Sequence, residues 1–333
     1  MCTRVVYLGP EDTIITARSM DWKVDTNTNL WALPRGMERD GAAGPNSIKW
    51  TSKYGSVVAA FNDNGSADGM NEKGLVANML YLTETKYPTP IHNDPRKPLA
   101  LSAWVQYVLD NYDTVYQAVH KLRNEPFYIV PSNAPDVTNA EGTTHLSISD
   151  PTGDSAIFEY IDGNLKIHHH RDYQVMTNSP TYDKQLKRMG YWEEIDRTTM
   201  LPGTNQATDR FVRASFYIKA IPQTSTIKDA IASVFSVIRN VSVPLGISTP
   251  DKPNISSTRW RVVADHKNRH YYFESTSHPN VFWVNLSDLN FTAGEPTKKL
   301  TLEDNHFFAG NVADKFEHLI KPVFAFLPAK PKV

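Results

Sequence analysis

Apolar and polar positions alternate from the first residues of the chain. Residues 2–8 (CTRVVYL) and 13–22 (TIITARSMDW) are β-rich and flank Gly9-Pro10-Glu11-Asp12, which has turn chemistry, so together they predict a hairpin. A second strand pair is expected at 56–62 and 74–82, with Asn62-Asp63-Asn64-Gly65 turning between them. The period then changes. Leu101, Trp104, Val105 and Val108 recur at helical spacing after Pro98, and Val115, Ala118, Val119 and Leu122 repeat it after Asp113, the expected cap. Each stripe covers one face only, as in helices that lie on a sheet. Residues 131–142 read as a polar loop. Strands are expected at 144–150, 155–161, 164–168 and 173–178, helices at 182–196, 209–221 and 227–237, and closing strands at 259–265, 270–275 and 281–286. The order is strands, helices, strands, helices, strands, without βαβα alternation. That argues against a doubly wound parallel sheet and for an α+β fold of antiparallel sheets sandwiched by paired helices. No composition shift or repeat marks a boundary, so residues 1–333 read as one domain.

Composition narrows the function classes. With 35 basic and 36 acidic residues the net charge is −1, which offers no single-sign field to steer nucleic acid or an anionic membrane. No stretch reaches the roughly 18 apolar residues of a membrane span, and the N-terminus lacks the charged-then-apolar pattern of a secretory leader. The expected location is the periplasm if a leader has been removed ahead of this sequence, and otherwise the cytoplasm. A small-molecule ligand is the expected partner, with neither nucleic acid nor membrane.

Cys2 is the single cysteine. It can form no internal disulfide and belongs to no multi-cysteine zinc site. Its placement matters more. Once Met1 is removed, thiol and α-amine stand on one residue. An ordinary α-amine titrates at about 7.7–8.0 and an ordinary thiol at about 8.5, close enough to exchange a proton near neutral pH. Such a cysteine carries its own base and needs no histidine. With Met1 attached, the same nitrogen is an amide and cannot act as base.

Arg18 and Asp21 lie on the strand that the Gly9-Pro10 turn folds back beside Cys2. A guanidinium at the sulfur stabilises a thiolate, and a carboxylate can orient the α-amine. Their odd spacing sends them to opposite faces of a regular strand, so both reach Cys2 only if the strand ends, bends or bulges near Ser19–Met20. A strand-end ion pair is the competing reading. Asn178 ends a predicted strand before Pro180, where it is either a turn former or an oxyanion donor. Arg210 stands in the first turn of a predicted helix, slightly unfavourable against the helix dipole, and is either surface or recruited. Met20, Trp22 and Tyr81 are core residues or the lining of an acyl pocket. His168-His169-His170 alternate along a strand without neighbouring carboxylates in sequence, which favours a polar strand end over a metal tract. No cofactor motif is present, and none is expected.

These residues fall in stretches that resemble a known family. Cys2-Thr3-Arg4, Ala17-Arg18-Ser19-Met20-Asp21-Trp22, Met70-Asn71-Glu72-Lys73-Gly74-Leu75, Met176-Thr177-Asn178-Ser179-Pro180 and Asp209-Arg210-Phe211-Val212-Arg213 occur in the order seen in the choloylglycine hydrolases. These are N-terminal-nucleophile amidohydrolases that include penicillin V acylases and bile salt hydrolases. The sequence around Thr51–Val57 and Ser256–Arg261 is similar to the branch found in Gram-negative bacteria. The resemblance implies a four-layer αββα sandwich and cleavage of a linear, non-peptide amide through a thioester on Cys2. It implies catalytic positions at Cys2, Arg18, Asp21, Tyr81, Asn178 and Arg210, with the Tyr81 N–H and the Asn178 side chain as oxyanion donors. It also implies substrate contacts at Met20, Trp22 and Tyr81, and a homotetramer. An aromatic at position 81 is similar to penicillin V acylases, whereas bile salt hydrolases usually carry asparagine there. N-acyl homoserine lactone acylase and bile salt hydrolase remain alternatives. A non-catalytic acyl-ligand-binding protein and a conventional Cys–His hydrolase are the competing classes.

Overall fold

β1 (Cys2–Leu8) and β2 (Ile14–Asp21) form the hairpin that opens the chain. Its turn holds Glu11 and Asp12 at φ of 53° and 57°, and the Thr13 N–H donates to the Pro10 carbonyl. The register sets Cys2 opposite Met20 and Arg4 opposite Arg18. Side chains alternate across a strand. Cys2, Arg4, Arg18 and Met20 therefore share one face, and Thr3, Ser19 and Asp21 share the other.

In this computed structural model the described residues are 2–132, 142–195, 200–247, 256–278, 280–302, 307–320 and 324–329. Among them the hairpin joins a seven-stranded sheet in the order Val175–Met176, β1, β2, Thr258–Asp265, His270–Ser275, Val281–Asn285, Gly310–Asn311. A nine-stranded sheet faces it. Its order is Asn164–His169, Ser155–Ile161, Thr144–Ser149, Val76–Tyr81, Ser66–Asn71, Ser56–Ala60, Asn29–Leu33, Lys298–Leu300, Glu317–His318. Helices α1 (Trp104–Asn111) and α2 (Val115–Leu122) cover the outer face of the nine-stranded sheet. Helices α4 (Ala207–Ala220) and α5 (Ile227–Asn240) pack on β1 and β2, and α3 (Tyr182–Glu194) packs against α4. The layers are thus αββα, the α+β sandwich expected.

Among the described residues two large apolar cores and one small cluster hold the layers. One core includes Val5, Tyr7, Ile15 and Ala17 of the hairpin with Phe211, Val234 and Phe235 of the helices. The other core places Trp104, Val105 and Val108 against Val58, Ala60 and Phe158. Between the sheets the hairpin's other face is strongly polar. Arg4 and Arg18 are fully buried there, and Thr16 lies 2.7 Å from Ser149 of the opposite sheet. Such groups persist inside only with partners, and Arg4 has them in the Tyr173 and Ile148 carbonyls and the Ser155 hydroxyl.

The second expected strand pair is corrected. Ser56–Ala60 and Val76–Tyr81 are not neighbours, because Ser66–Asn71 runs between them. Its sequence SADGMN has weak strand propensity, and tertiary pairing overrides it. Gly69 is required for packing. A Cβ there would meet the Val57 carbonyl oxygen at 2.7 Å and Leu109 of α1 at 2.9 Å. The short strands Asn29–Leu33 and Lys298–Leu300 also gave no signal. The strand expected at 173–178 shrinks to Val175–Met176. The cap of α2 is Thr114, whose hydroxyl accepts from the Gln117 N–H at 3.2 Å, rather than Asp113. Most of the loop at 131–142 and the last residue of the helix at 182–196 fall outside the described residues.

Candidate active site

Cys2 begins β1, and its surroundings divide along the two faces of the sheet. On the face toward the nine-stranded sheet, one amino group of Arg18 (Nη2) donates to the Cys2 Sγ at 3.5 Å. The same nitrogen reaches the Met20 sulfur at 2.9 Å and the Met79 carbonyl at 3.0 Å, and the guanidinium lies 4.6 Å from the centre of the Trp260 ring. The Cys2 and Met20 sulfurs are 3.8 Å apart.

On the helix-side face stand Asp21 and Arg210. Arg210 of α4 donates to the Cys2 carbonyl at 2.7 Å, to the Thr3 hydroxyl and to the Asn178 Oδ1 at 2.8 Å. Its Nη1 lies 3.9 Å from Asp21 Oδ2, while Asp21 Oδ1 accepts from Thr258 at 2.6 Å. Burial draws the Arg210 guanidinium below its ordinary range, opposed by the charges of Asp21 and Cys2. The parity objection to Arg18 and Asp21 is thereby resolved without a break in β2. Arg18 serves the sulfur from one face, while on the other Arg210 holds the Cys2 carbonyl and Asp21 stands beside Arg210. The irregularity lies in the neighbouring strand, where Asp21 pairs with Thr258 and Met20 with Trp260, leaving Arg259 as the extra residue. Arg259 is thereby free to bind the Trp22 and Lys23 carbonyls at 2.9 and 2.6 Å, and so anchors the end of β2.

Asn178 ties three of these elements together. Its Oδ1 accepts from the Cys2 N–H at 2.7 Å and from Arg210, and its Nδ2 donates to the Tyr81 carbonyl at 2.6 Å. Two donors on one atom and a carbonyl on the other fix the orientation of the amide. Nδ2 retains a second hydrogen for a substrate. Asn178 follows the short strand Val175–Met176, which pairs with β1, so its place beside Cys2 is set by that ladder.

A cavity of about 450 Å³ opens at the sulfur, and Cys2, Met20, Trp22, Phe61, Tyr81 and Leu327 are among its walls. Trp22 meets Phe61 and Tyr81 edge-on at 6.4 and 6.3 Å between ring centres. Most of the lining is apolar, with the nucleophile at one wall, as in sites that hold acyl groups. Among the described residues no histidine lines it.

Two features escaped the sequence. Asp68, on the strand that was not expected, stands 3.6 Å from Arg18 on the side away from the sulfur. It accepts from the Tyr271 hydroxyl and Asn78, both at 2.7 Å. Burial pushes its carboxyl up to about 6, against the pull of Arg18 and these hydrogen bonds. The second feature is Glu159, fully buried, 3.0 Å from His145 and 3.4 Å from His168. Burial alone would raise its carboxyl, yet the hydrogen bonds from the two histidines outweigh it and hold the group at about 2. His145 reaches the Thr177 carbonyl at 2.8 Å and so braces the residue before Asn178. His169 pairs with Asp154 at 2.7 Å. The histidine tract thus has carboxylate partners across the sheet that linear spacing did not reveal.

Comparison with known proteins gives the same assignment. The chain is 49% identical to the penicillin V acylase of Pectobacterium atrosepticum, over 95% of this chain and 90% of that protein. The structure superposes on penicillin V acylase from Agrobacterium tumefaciens with a TM-score of 0.89 and 55% identity, covering 98% of this chain and 99% of the other. A variant of the conjugated bile acid hydrolase of Clostridium perfringens shares the fold at 20% identity and a TM-score of 0.78, covering 92% and 99% of the two chains. The sequence model for linear amide C–N hydrolases of the choloylglycine hydrolase family matches residues 2–301, and with it the strand-leading cysteine and its two-faced setting place this chain in that family of amidohydrolases.

Proposed function

We propose that the chain hydrolyses an N-acyl amide in the manner of a penicillin V acylase, through a thioester on Cys2, once Met1 is gone. The Cys2 thiol gives its proton to its own α-amine, and the sulfur bonds to the acyl carbonyl. The oxyanion that forms takes hydrogen bonds from the free hydrogen of Asn178 Nδ2 and from the Tyr81 N–H. The α-ammonium then protonates the leaving nitrogen as the C–N bond breaks. Water attacks the thioester and gives a proton to the amine, the C–S bond breaks, and the acid departs. Arg18 holds the sulfur. Arg210, with Asp21 beside it, fixes the Cys2 carbonyl, and Asn178 Oδ1 orients its nitrogen.

The observation that carries this reading is the single cysteine, its nitrogen on Asn178 and its sulfur on Arg18, at the wall of a cavity rich in aromatic side chains. Trp22, Phe61 and Tyr81 favour an aryl or fatty acyl group, which supports aryloxyacetyl amides such as penicillin V first. N-acyl homoserine lactones and bile salts follow. Rates on the three substrate classes, measured side by side, test the order, and a bile salt turned over fastest would reverse it. We also infer a homotetramer. Ile91, Phe307 and Ile320 are each at least 65% exposed on the single chain, surface that association would cover. Light scattering that returns a monomer mass at micromolar concentration would remove that inference.

A further inference from the structure

The family match ends at residue 301, but the walls of the cavity do not. Residues 324–329 return to the nine-stranded layer and are anchored there by aromatic packing. Phe324 meets Trp31 at 5.6 Å and Phe326 stacks on Trp50 at 6.0 Å, and the Arg39 guanidinium lies 5.7 Å from each phenyl ring. Leu327 follows these anchors and is pinned through its backbone. Its N–H donates to the Asn64 carbonyl at 3.2 Å, and its carbonyl accepts from the Ser102 hydroxyl at 2.9 Å. Two residues on, the Ala329 N–H donates to the Ala42 carbonyl at 2.8 Å. Leu327 is half-buried and lines the cavity that Cys2 also lines.

We propose that Leu327 is a specificity-determining residue that limits the length of the acyl group the cavity accepts. The inference rests on the acylase reading above and names a wall of that same site. A chain in an apolar pocket gains by burying each methylene until it meets a wall, after which a further methylene must displace protein atoms. At this wall the aromatic anchors and backbone hydrogen bonds oppose retreat. Leu327 therefore sets a stop that depends on its own size, and it does so from a segment outside the family match.

The test is a series of straight-chain N-acyl amides of one amine, from hexanoyl to dodecanoyl, with wild type, Leu327→Ala and Leu327→Trp. One methylene in an apolar pocket is worth roughly 10-fold or more in discrimination. The kcat/KM ratio of long to short chains should therefore rise about 10-fold or more in Leu327→Ala and fall by a similar factor in Leu327→Trp, carried mainly by KM. Superimposable length profiles in all three proteins, with unchanged melting temperatures, would overturn the proposal. The free acids of the same series, titrated calorimetrically, read the wall without turnover. If wild type cleaves no amide, the acylase reading falls, while the binding preference for acid length still decides the role of Leu327.

Discussion

Asn178 is the residue whose loss separates the chemistry from the scaffold. In Asn178→Ala, Arg210 loses a charged hydrogen bond made at 2.8 Å, and the Cys2 N–H and Tyr81 carbonyl lose partners at 2.7 and 2.6 Å. A hydrogen bond to a charged group is worth about 1.5–3 kcal/mol and a neutral one about 1, so the variant should lose roughly 3–5 kcal/mol of stability. The catalytic loss is a separate quantity. Removing one oxyanion donor costs about 10²–10³ in kcat, or about 2.7–4 kcal/mol. Asn178→Asp distinguishes the two effects, because it keeps the acceptor that faces Cys2 and Arg210 and removes the donor. It keeps the bonds to Cys2 and Arg210 but sets an oxygen against the Tyr81 carbonyl, so it should lose about 1–3 kcal/mol of stability and still lose about 10²–10³ in kcat, with KM moving less. The assay is steady-state hydrolysis of an N-acyl amide well below the melting temperature of each variant, beside urea denaturation. A kcat in Asn178→Asp within threefold of wild type would refute the donor role and leave Asn178 as a structural tie.

Further outcomes follow from the groups around the site. Above about pH 6 the Asp68 carboxylate subtracts from the field that Arg18 exerts at the sulfur. Asp68→Asn should therefore speed alkylation of Cys2 by iodoacetamide at pH 7, and an unchanged rate would disconnect Asp68 from the nucleophile. Glu159 is held near 2 when folded against an ordinary 4.5, so it stabilises the fold above pH 4.5 and that contribution fades as pH falls toward 2. The shift corresponds to about 3 kcal/mol, which urea melts across this window should show in wild type and not in Glu159→Gln. Gly69→Ala places a methyl 2.7 Å from the Val57 carbonyl oxygen and should cost about 1–3 kcal/mol by overpacking, read as a lower denaturation midpoint; an unchanged midpoint would mean α1 has room to shift.

The sequence was most legible where a local pattern and a tertiary role coincide. The opening hairpin, the helices at 182–196 and 209–221 and the strand at 155–161 all carry their period in their own residues, and the structure places them within a few positions. The candidate site residues were singled out by ordered motifs, and the structure gathers them around Cys2. Their arrangement was not legible, since the roles of Arg18 and Asp21 depend on which face of β1 each serves, and that is set by a second sheet and by α4. Ser66–Asn71 was silent because pairing on both sides stabilises a segment of low strand propensity, and Asp68 was lost with it. Leu327 was beyond reach for a different reason. Its only relation to Cys2 is a shared cavity wall, across more than three hundred residues of chain.

The central claim is that Cys2 attacks with its own α-amine as base, which makes Met1 decisive. The direct measurement is intact and peptide mass spectrometry after a brief exposure to substrate, on protein prepared with Met1 retained and with Met1 removed. The account predicts an acyl adduct on Cys2, and turnover, only in chains that begin at Cys2. Equal turnover by chains that demonstrably keep Met1, or an adduct on any other residue, would contradict it.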